Sequence, residues 1–263
     1  MLDLVTAVRF DGRVQSGKTK PCRLACETAT GDEVEVVAKL SAGCERGVAA
    51  LVSEAIAAVL AADLGLPVPE PYLVRVDAEF IAAIPDPEIV ALASRSNAVW
   101  YGSKRLPSGY TTWPVGKQIP KDAIPTAAEI FAFDALIANA DRRPENPNCL
   151  FLGSNLAIFD HELAFLTAGI IGWRPPWEAG SLESLRRPQS HVFVDQLRGK
   201  ALNFDRLTGA WLAVTEPRLQ AYQAALPAEW NAADDVAVNA VRHVTDVRNN
   251  LARAMQEIAR VLQ

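Results

Sequence analysis

Residues that bind transition metals are scarce in this 263-residue sequence, which contains four cysteines and three histidines. The cysteines show no C-x-x-C spacing and the histidines are scattered, so the sequence predicts no zinc cluster. Cys22 and Cys26 would lie on one face of a strand, where buried free thiols are expected.

Long apolar runs and an excess of basic charge are also missing. The most apolar stretch, residues 48–66, contains Ser53, Glu54 and Asp63 and is too polar to span a membrane. The N-terminus has no basic region followed by an apolar run, so no signal peptide is expected. The formal net charge of −5 argues against general binding to nucleic acid or anionic membranes. We therefore expect a cytoplasmic protein without direct nucleic-acid or membrane contacts.

The first part of the chain is predicted to be rich in strands. Alternating apolar positions indicate strands over residues 4–10, 21–27 and 33–39, and a further hairpin over 72–76 and 79–83. A helix is predicted between them over about 45–64, and it ends at Gly65. Residues 98–125 are rich in Gly, Pro and Ser and indicate a connection.

The second part is predicted to be mostly helical. Helices are expected over residues 126–139, 204–214, 217–225 and 234–262, with a short hairpin over 149–152 and 156–159. We therefore predict an α+β fold with a small β-rich N-lobe (residues 1–105) and a larger, mostly helical C-lobe (residues 106–263).

The segment GRVQSGKT, residues 12–19, matches the P-loop pattern G-x-x-x-x-G-K-[ST]. A P-loop needs a helix that begins at its Lys-Thr pair, so that free N–H groups hold the phosphates. Here a strand, a turn and a second strand follow instead. The sequence therefore predicts a glycine loop between antiparallel strands, which could still cover a phosphate.

An acid, an amide and a second acid stand around the hairpin of the second half. Asp141 follows a helix, Asn146 lies five residues on and Asn148 directly precedes the first strand. Asp160 closes the hairpin, so both of its ends should meet at one edge. The first acid could deprotonate a hydroxyl, while an amide and the second acid could hold Mg²⁺ between phosphates. The alternative is a polar loop of capping and turn residues.

Two charged residues in the first half lack an obvious partner. Lys39 ends an apolar strand, where the ordinary alternative is a solvated lysine. Glu54 lies in an alanine-lined helix stripe with no cation three or four residues away. It either faces solvent or has a partner elsewhere.

The order of these motifs resembles the protein-kinase-like superfamily: glycine loop, strand lysine, helix glutamate, linker, D-x-x-x-x-N, then an Asp after a hairpin. Residues 53–70 (S-E-A through G-L-P-V-P-E) and the D-R-x-x-x-N loop resemble the HipA-like serine/threonine kinases of bacteria. The loop is also similar to that of phosphoinositide lipid kinases. The resemblance covers about residues 12–165 and implies a two-lobed protein-kinase-like fold.

The resemblance also implies roles for individual residues. Asp141 would be catalytic, Glu54 would pair with Lys39, and Lys39 would bind ATP phosphates. Mg²⁺ would be held by Asp160 with Asn146, which has the offset found in the family, or with Asn148. A flexible lid would cover the ATP phosphates, and its residues would be Gln15, Ser16, Gly17, Lys18 and Thr19. Tyr101 would belong to the hinge that contacts adenine. Asp160 is followed by His161-Glu162 and not by Phe-Gly, so the protein-kinase rules for that loop do not transfer.

We therefore expect an ATP- and Mg²⁺-dependent kinase acting on a protein Ser or Thr hydroxyl. The alternatives are a small-molecule or lipid phosphotransferase, or an inactive nucleotide-binding interaction module. The sequence contains no basic amphipathic segment that could hold an anionic membrane, which weakens the lipid-kinase alternative. Four arginines would suit an acidic or phosphorylated protein partner: Arg142, Arg143, Arg186 and Arg187. Three glutamates could instead form an acceptor pocket for a cationic small molecule: Glu162, Glu178 and Glu183.

HipA toxins typically carry a further N-terminal subdomain, whereas the first strand expected here begins at Leu4. The resemblance therefore leaves an antitoxin partner and operator DNA undecided.

Overall fold

The computed structural model describes residues 2–14, 18–168 and 170–263. Its strands are β1 (Asp3–Arg13), β2 (Cys22–Glu27), β3 (Glu33–Lys39), β4 (Pro71–Arg75), β5 (Val99–Lys104), β6 (Thr111–Thr112), β7 (Cys149–Leu152) and β8 (Asn155–Ile158). Its α-helices are α1 (Val48–Asp63), α2 (Ala78–Ala83), α3 (Pro87–Ala93), α4 (Ile124–Leu136), α5 (Val194–Leu197), α6 (Asp205–Ala213), α7 (Glu216–Ala224), α8 (Asp234–Asn249) and α9 (Leu251–Leu262).

The strands of the first part close into a barrel in the order β1-β2-β3-β5-β4. Neighbouring strands are antiparallel except for β1 and β4, which pair in parallel and close the ring. Apolar side chains at alternate positions fill its interior, among them Leu24, Val36, Ala38, Val74 and Trp100. The three strands predicted before residue 40 are confirmed.

The segment that matches the P-loop pattern joins two antiparallel strands. Gly12 lies within β1, Lys18 and Thr19 form a turn, and β2 begins at Cys22. The rejection of a P-loop is therefore confirmed, since a strand follows the Lys-Thr pair.

The structure differs from three of the predicted elements. Residues 79–83 form α2 and not a strand, because Asp77 accepts a hydrogen bond from Phe80 N at 2.7 Å and caps the helix. The presumed connection 98–125 contains β5, which lies between β3 and β4 in the barrel. The run 234–262 is two helices, α8 and α9, separated at Asn250.

Helix α1 lies between the barrel and the C-terminal helices. Residues 50–61 of α1 are all buried. The helix packs against β4 and β5 on one side and against α7 and α8 on the other. Its C-terminal end is held by Arg218, which donates to Asp63 at 2.6 Å, and by Arg206, which donates to Leu64 O at 2.8 Å. One apolar core therefore runs from α1 into the helical part.

Strands thus predominate in the N-terminal part and helices in the C-terminal part, which confirms the α+β class. The two-lobed arrangement and the boundary at residue 105 stay predictions. Within residues 2–14, 18–168 and 170–263, no helix has the length and apolar character needed to cross a membrane.

Candidate active site

A buried ion pair links the barrel to α1. Strand alternation turns Val36 and Ala38 into the barrel, so the side chain of Lys39 leaves it on the opposite face and meets α1. Its Nζ donates to Glu54 Oε2 at 2.9 Å, and the Glu54 side chain is only 2% exposed. The structure therefore supplies the partner that Glu54 lacks within its own helix.

The loop after β8 closes on this pair. Lys39 Nζ also donates to Asp160 Oδ1 at 2.6 Å and lies 3.9 Å from Glu162 Oε2. The backbone N–H of His161 donates to Glu54 Oε2 at 2.7 Å. Asp160 has a positive φ of 60°, a left-handed conformation that turns the chain sharply at this point. Glu54 thus holds both the lysine and the backbone beside Asp160.

Burial and charge shift the acid–base behaviour of the cluster. Burial raises the pKa of Glu54, but Lys39 and His161 outweigh it and lower that pKa to about 2. Burial lowers the pKa of Lys39, but the carboxylates of Glu54 and Asp160 raise it above its usual range. Both groups are therefore charged at neutral pH.

Replacement of Lys39 by methionine is expected to lower the free energy of unfolding by about 3–5 kcal/mol, because Glu54 is left as an unpaired buried charge. The change Glu54→Gln should cost less, since Lys39 keeps Asp160 at 2.6 Å. Urea denaturation at pH 7 measures both variants. Equal losses would contradict this asymmetry.

The same comparison has a defined pH dependence. The folded-state pKa of Glu54 lies below its ordinary value of 4.5, so its stabilisation is present above pH 4.5 and is lost as pH falls towards 2. The difference in stability between wild type and Lys39→Met should therefore shrink over that range.

Asp141 lies in a loop whose amides converge on its carboxylate. Asn146 Nδ2 and Asn148 Nδ2 donate to Asp141 Oδ2 at 2.7 and 3.2 Å. Burial and then the charge of Asp160 raise the pKa of Asp141. The charges of Asp141 and Asp160, nineteen residues apart, therefore interact, and both asparagines contact Asp141.

The residues next to Asp141 form a network that the sequence analysis missed. Arg142 is fully buried and forms a fork on Asp134 of α4, with Nε donating at 2.6 Å and Nη2 at 3.2 Å. His191 Nε2 lies 3.1 Å from the same carboxylate. The expectation that Arg142 helps to bind an acidic or phosphorylated partner was wrong, because its side chain is fully buried. The available signal was Asp134, a polar break in the apolar stripe of α4.

The structure describes only some of the residues predicted to bind the nucleotide. Gln15, Ser16 and Gly17 lie outside the described residues. Lys18 is exposed, whereas Thr19 is buried. The carbonyl of Thr19 packs against Gly43, which follows Lys39 at the end of β3 by four residues. Tyr101 is opposite Lys39 in the sheet, and its side chain is buried in the core that contains α1. A contact of its side chain with adenine would require that core to open.

The three glutamates considered for a cationic acceptor pocket have different neighbours. Glu162 approaches Lys39, Glu178 approaches Arg174 at 4.0 Å, and Glu183 accepts from Arg260 at 2.7 Å. Two of them are thus already paired with arginines.

The donor set around Lys39 suits a hard divalent cation. Three carboxylates lie within 3.9 Å of its ammonium, and a fourth, Asp141, is affected by Asp160. Negative charge is therefore in excess, and carboxylate and amide oxygens are the ligands that Mg²⁺ prefers. Over the ranges that the structure covers, no group of three or more His, Cys, Asp and Glu side chains forms a metal cage. Phosphate oxygens would have to complete the coordination.

Three comparisons with known proteins bear on the family of the chain. The family model described as HipA-like kinase matches residues 7–258. A crystal structure of a Helicobacter pylori proinflammatory kinase, CtkA, is similar with a TM-score of 0.51 and 13% identity, over 97% of this chain and 99% of that chain. At this identity the likeness shows the fold alone. A search of curated protein sequences gives no significant match. Because the family model covers nearly the whole length, the chain belongs to the HipA-like kinase family.

Proposed function

We propose that the chain is an ATP- and Mg²⁺-dependent kinase that transfers the γ-phosphate of ATP to a Ser or Thr hydroxyl of a protein. The observation that carries this proposal is the position of Lys39, which contacts Glu54 at 2.9 Å and Asp160 at 2.6 Å. A lysine held by a helix glutamate and placed beside a metal-binding aspartate is the arrangement that positions ATP phosphates in kinases.

Asp141 is the proposed base. Its raised pKa makes it a stronger proton acceptor than a solvated aspartate. Both neighbouring amides donate to Oδ2, while Oδ1 has the longer 3.9 Å approach of Arg143 Nη2. Oδ1 would accept the proton of the acceptor hydroxyl while the hydroxyl oxygen forms a bond to the γ-phosphorus of ATP. The bond from that phosphorus to the β,γ-bridging oxygen breaks, and ADP leaves.

Asp160, with Asn146 or Asn148, would hold the metal ion. When bound, Mg²⁺ would supply charge neutralisation at the β- and γ-phosphate oxygens. Lys39 would then exchange part of its contact with Asp160 for the phosphates, while Glu54 keeps its ammonium in place. Lys18 and the preceding residues 15–17 are the proposed lid, and Tyr101 stays a proposed neighbour of adenine.

The acceptor is tested by incubating the protein and a cell lysate with γ-labelled ATP and Mg²⁺, followed by acid precipitation. Label is expected on precipitated protein and should disappear when EDTA removes the metal. Label confined to the soluble fraction would refute a protein acceptor and favour a small molecule. Label extracted with lipid would favour a lipid acceptor. No transferred label in any fraction would leave a nucleotide-binding module without transfer activity.

A further inference from the structure

The guanidinium of Arg142 has contacts beyond its ion pair. Its Nη1 donates to the backbone carbonyl of Asn148 and, at 3.2 Å, to that of Phe159. Asn148 directly precedes β7 and Phe159 directly follows β8, so the two carbonyls mark the base of one hairpin. Phe159 N also donates to Asn148 O at 3.2 Å. One side chain therefore ties together both ends of the hairpin that separates Asp141 from Asp160.

The orientation of this side chain is set from two directions. Asp134 accepts the fork of Arg142, and Asn139 Nδ2 donates to the same carboxylate at 2.7 Å. Phe193 N donates to His191 Nδ1 at 3.2 Å, which leaves the proton of the neutral ring on Nε2, facing Asp134. The backbone of the same segment is fixed as well, because Val192 N donates to Arg142 O at 3.0 Å.

Stability alone is a poor reason for such a network. Apolar side chains of similar volume often stabilise a fold as well as a buried ion pair does, because removing both charges from water costs several kcal/mol. A guanidinium differs from an apolar side chain in having donors fixed in direction. Here those donors reach the backbone beside Asn148 and beside Asp160, the positions that the proposed metal requires.

We propose that Arg142, oriented by Asp134 and His191, is a positioning residue for metal binding: it fixes the distance between the loop of Asp141 and Asn148 and the backbone that carries Asp160. This inference rests on the proposed function. Groups that orient metal ligands in this way typically change metal affinity or activity by about 10–100-fold when they are replaced.

The test compares Arg142→Lys with wild type. Lysine can keep the charge facing Asp134 but lacks the fork that also reaches two carbonyls. Arg206→Lys is the matched control, because Arg206 also forms a fork on a carboxylate, Glu129, and donates to a carbonyl, Leu64 O. Calorimetric titration gives the affinity for ATP with EDTA and with Mg²⁺, thermal melting checks folding, and the label assay gives kcat and KM.

For Arg142→Lys we expect unchanged affinity for ATP in EDTA and a loss of about 10–100-fold in the affinity gained with Mg²⁺, with kcat reduced similarly. Arg206→Lys should retain the gain. A folded Arg142→Lys protein with the wild-type Mg²⁺ gain and kcat would overturn the proposal.

If Arg142→Lys does not fold, the apolar triple variant Asp134→Leu, Arg142→Met, His191→Phe replaces it, with the same expected loss. Retention of the gain by that variant, or failure of both variants to fold, would assign the network to the fold alone and overturn the positioning role. Absence of any Mg²⁺ gain in wild type would instead refute the proposed function.

Discussion

Replacement of Asp141 by asparagine is expected to reduce phosphoryl transfer by about 10²–10⁴-fold while ATP affinity stays nearly unchanged. Asparagine keeps the shape of the side chain but cannot accept the hydroxyl proton. The substitution also removes a negative charge that repels Asp160, since the charge of Asp160 raises the pKa of Asp141. The loss should therefore fall on kcat, and on kcat/KM to the same extent. The measurement is γ-label transfer to protein at saturating ATP, with the affinity for ATP and Mg²⁺ determined by calorimetry.

The control for this experiment is Asp122→Asn, at an exposed aspartate in the short 3-10 helix (Lys121–Ala123) that precedes α4. It carries the same change in charge away from the cluster and should transfer at the wild-type rate. Full turnover by Asp141→Asn would show that another group accepts the proton. A large loss of ATP affinity would show that Asp141 contributes to binding the nucleotide.

Replacement of Asp160 by alanine should act on the other side of the reaction. It removes a charged oxygen ligand from the proposed metal site, so the affinity gained with Mg²⁺ should fall by about 10²-fold or more. The fold should persist, because Lys39 keeps Glu54 at 2.9 Å. Thermal melting with ATP should show wild type stabilised further by Mg²⁺, as expected when a ligand binds only the folded state. In the variant, Mg²⁺ should raise the melting temperature measured with ATP much less than it does in wild type.

Asp122→Ala is the matched substitution for this test and should keep the Mg²⁺-dependent shift. A variant at Asp160 that keeps the shift would move the metal to other ligands, and a comparison of Asn146→Ala with Asn148→Ala would then locate them. Absence of any shift with millimolar ATP in wild type would argue against nucleotide binding altogether.

Local patterns were sufficient for the elements that contain the site. The alternation over β2 and β3 is a property of a half-buried strand pair, so it predicted the strand that ends in Lys39. The lack of a local partner left Glu54 either in solvent or with a distant partner, and the resemblance to kinases selected Lys39, which Glu54 contacts in the fold. The order of the motifs then indicated the family, although each motif alone was short.

Other features depend on contacts that a local pattern does not contain. Residues 79–83 satisfy a strand pattern, and the cap from Asp77 decides for a helix. Strand β5 lies in a Gly- and Ser-containing stretch, but Gly102 is required there: a Cβ would come within 2.6 Å of Val74. Asp134, eight residues before Arg142, was a local signal of this buried network, but His191 lies far from both in sequence and is brought to Asp134 only by the fold.

The position of α1 has a consequence for how the enzyme could be switched. In some kinases the helix that carries the glutamate can swing outward, so that its ion pair with the strand lysine breaks in one state and forms in the other. Here both faces of α1 are buried, and Asp63 at its end is bound by Arg218 at 2.6 Å and by Tyr222 Oη at 2.6 Å. An outward rotation would expose apolar surface on two sides and break these contacts together. We therefore expect the Lys39–Glu54 pair to persist whenever the protein is folded, so that an outward swing of α1 is not expected to control activity.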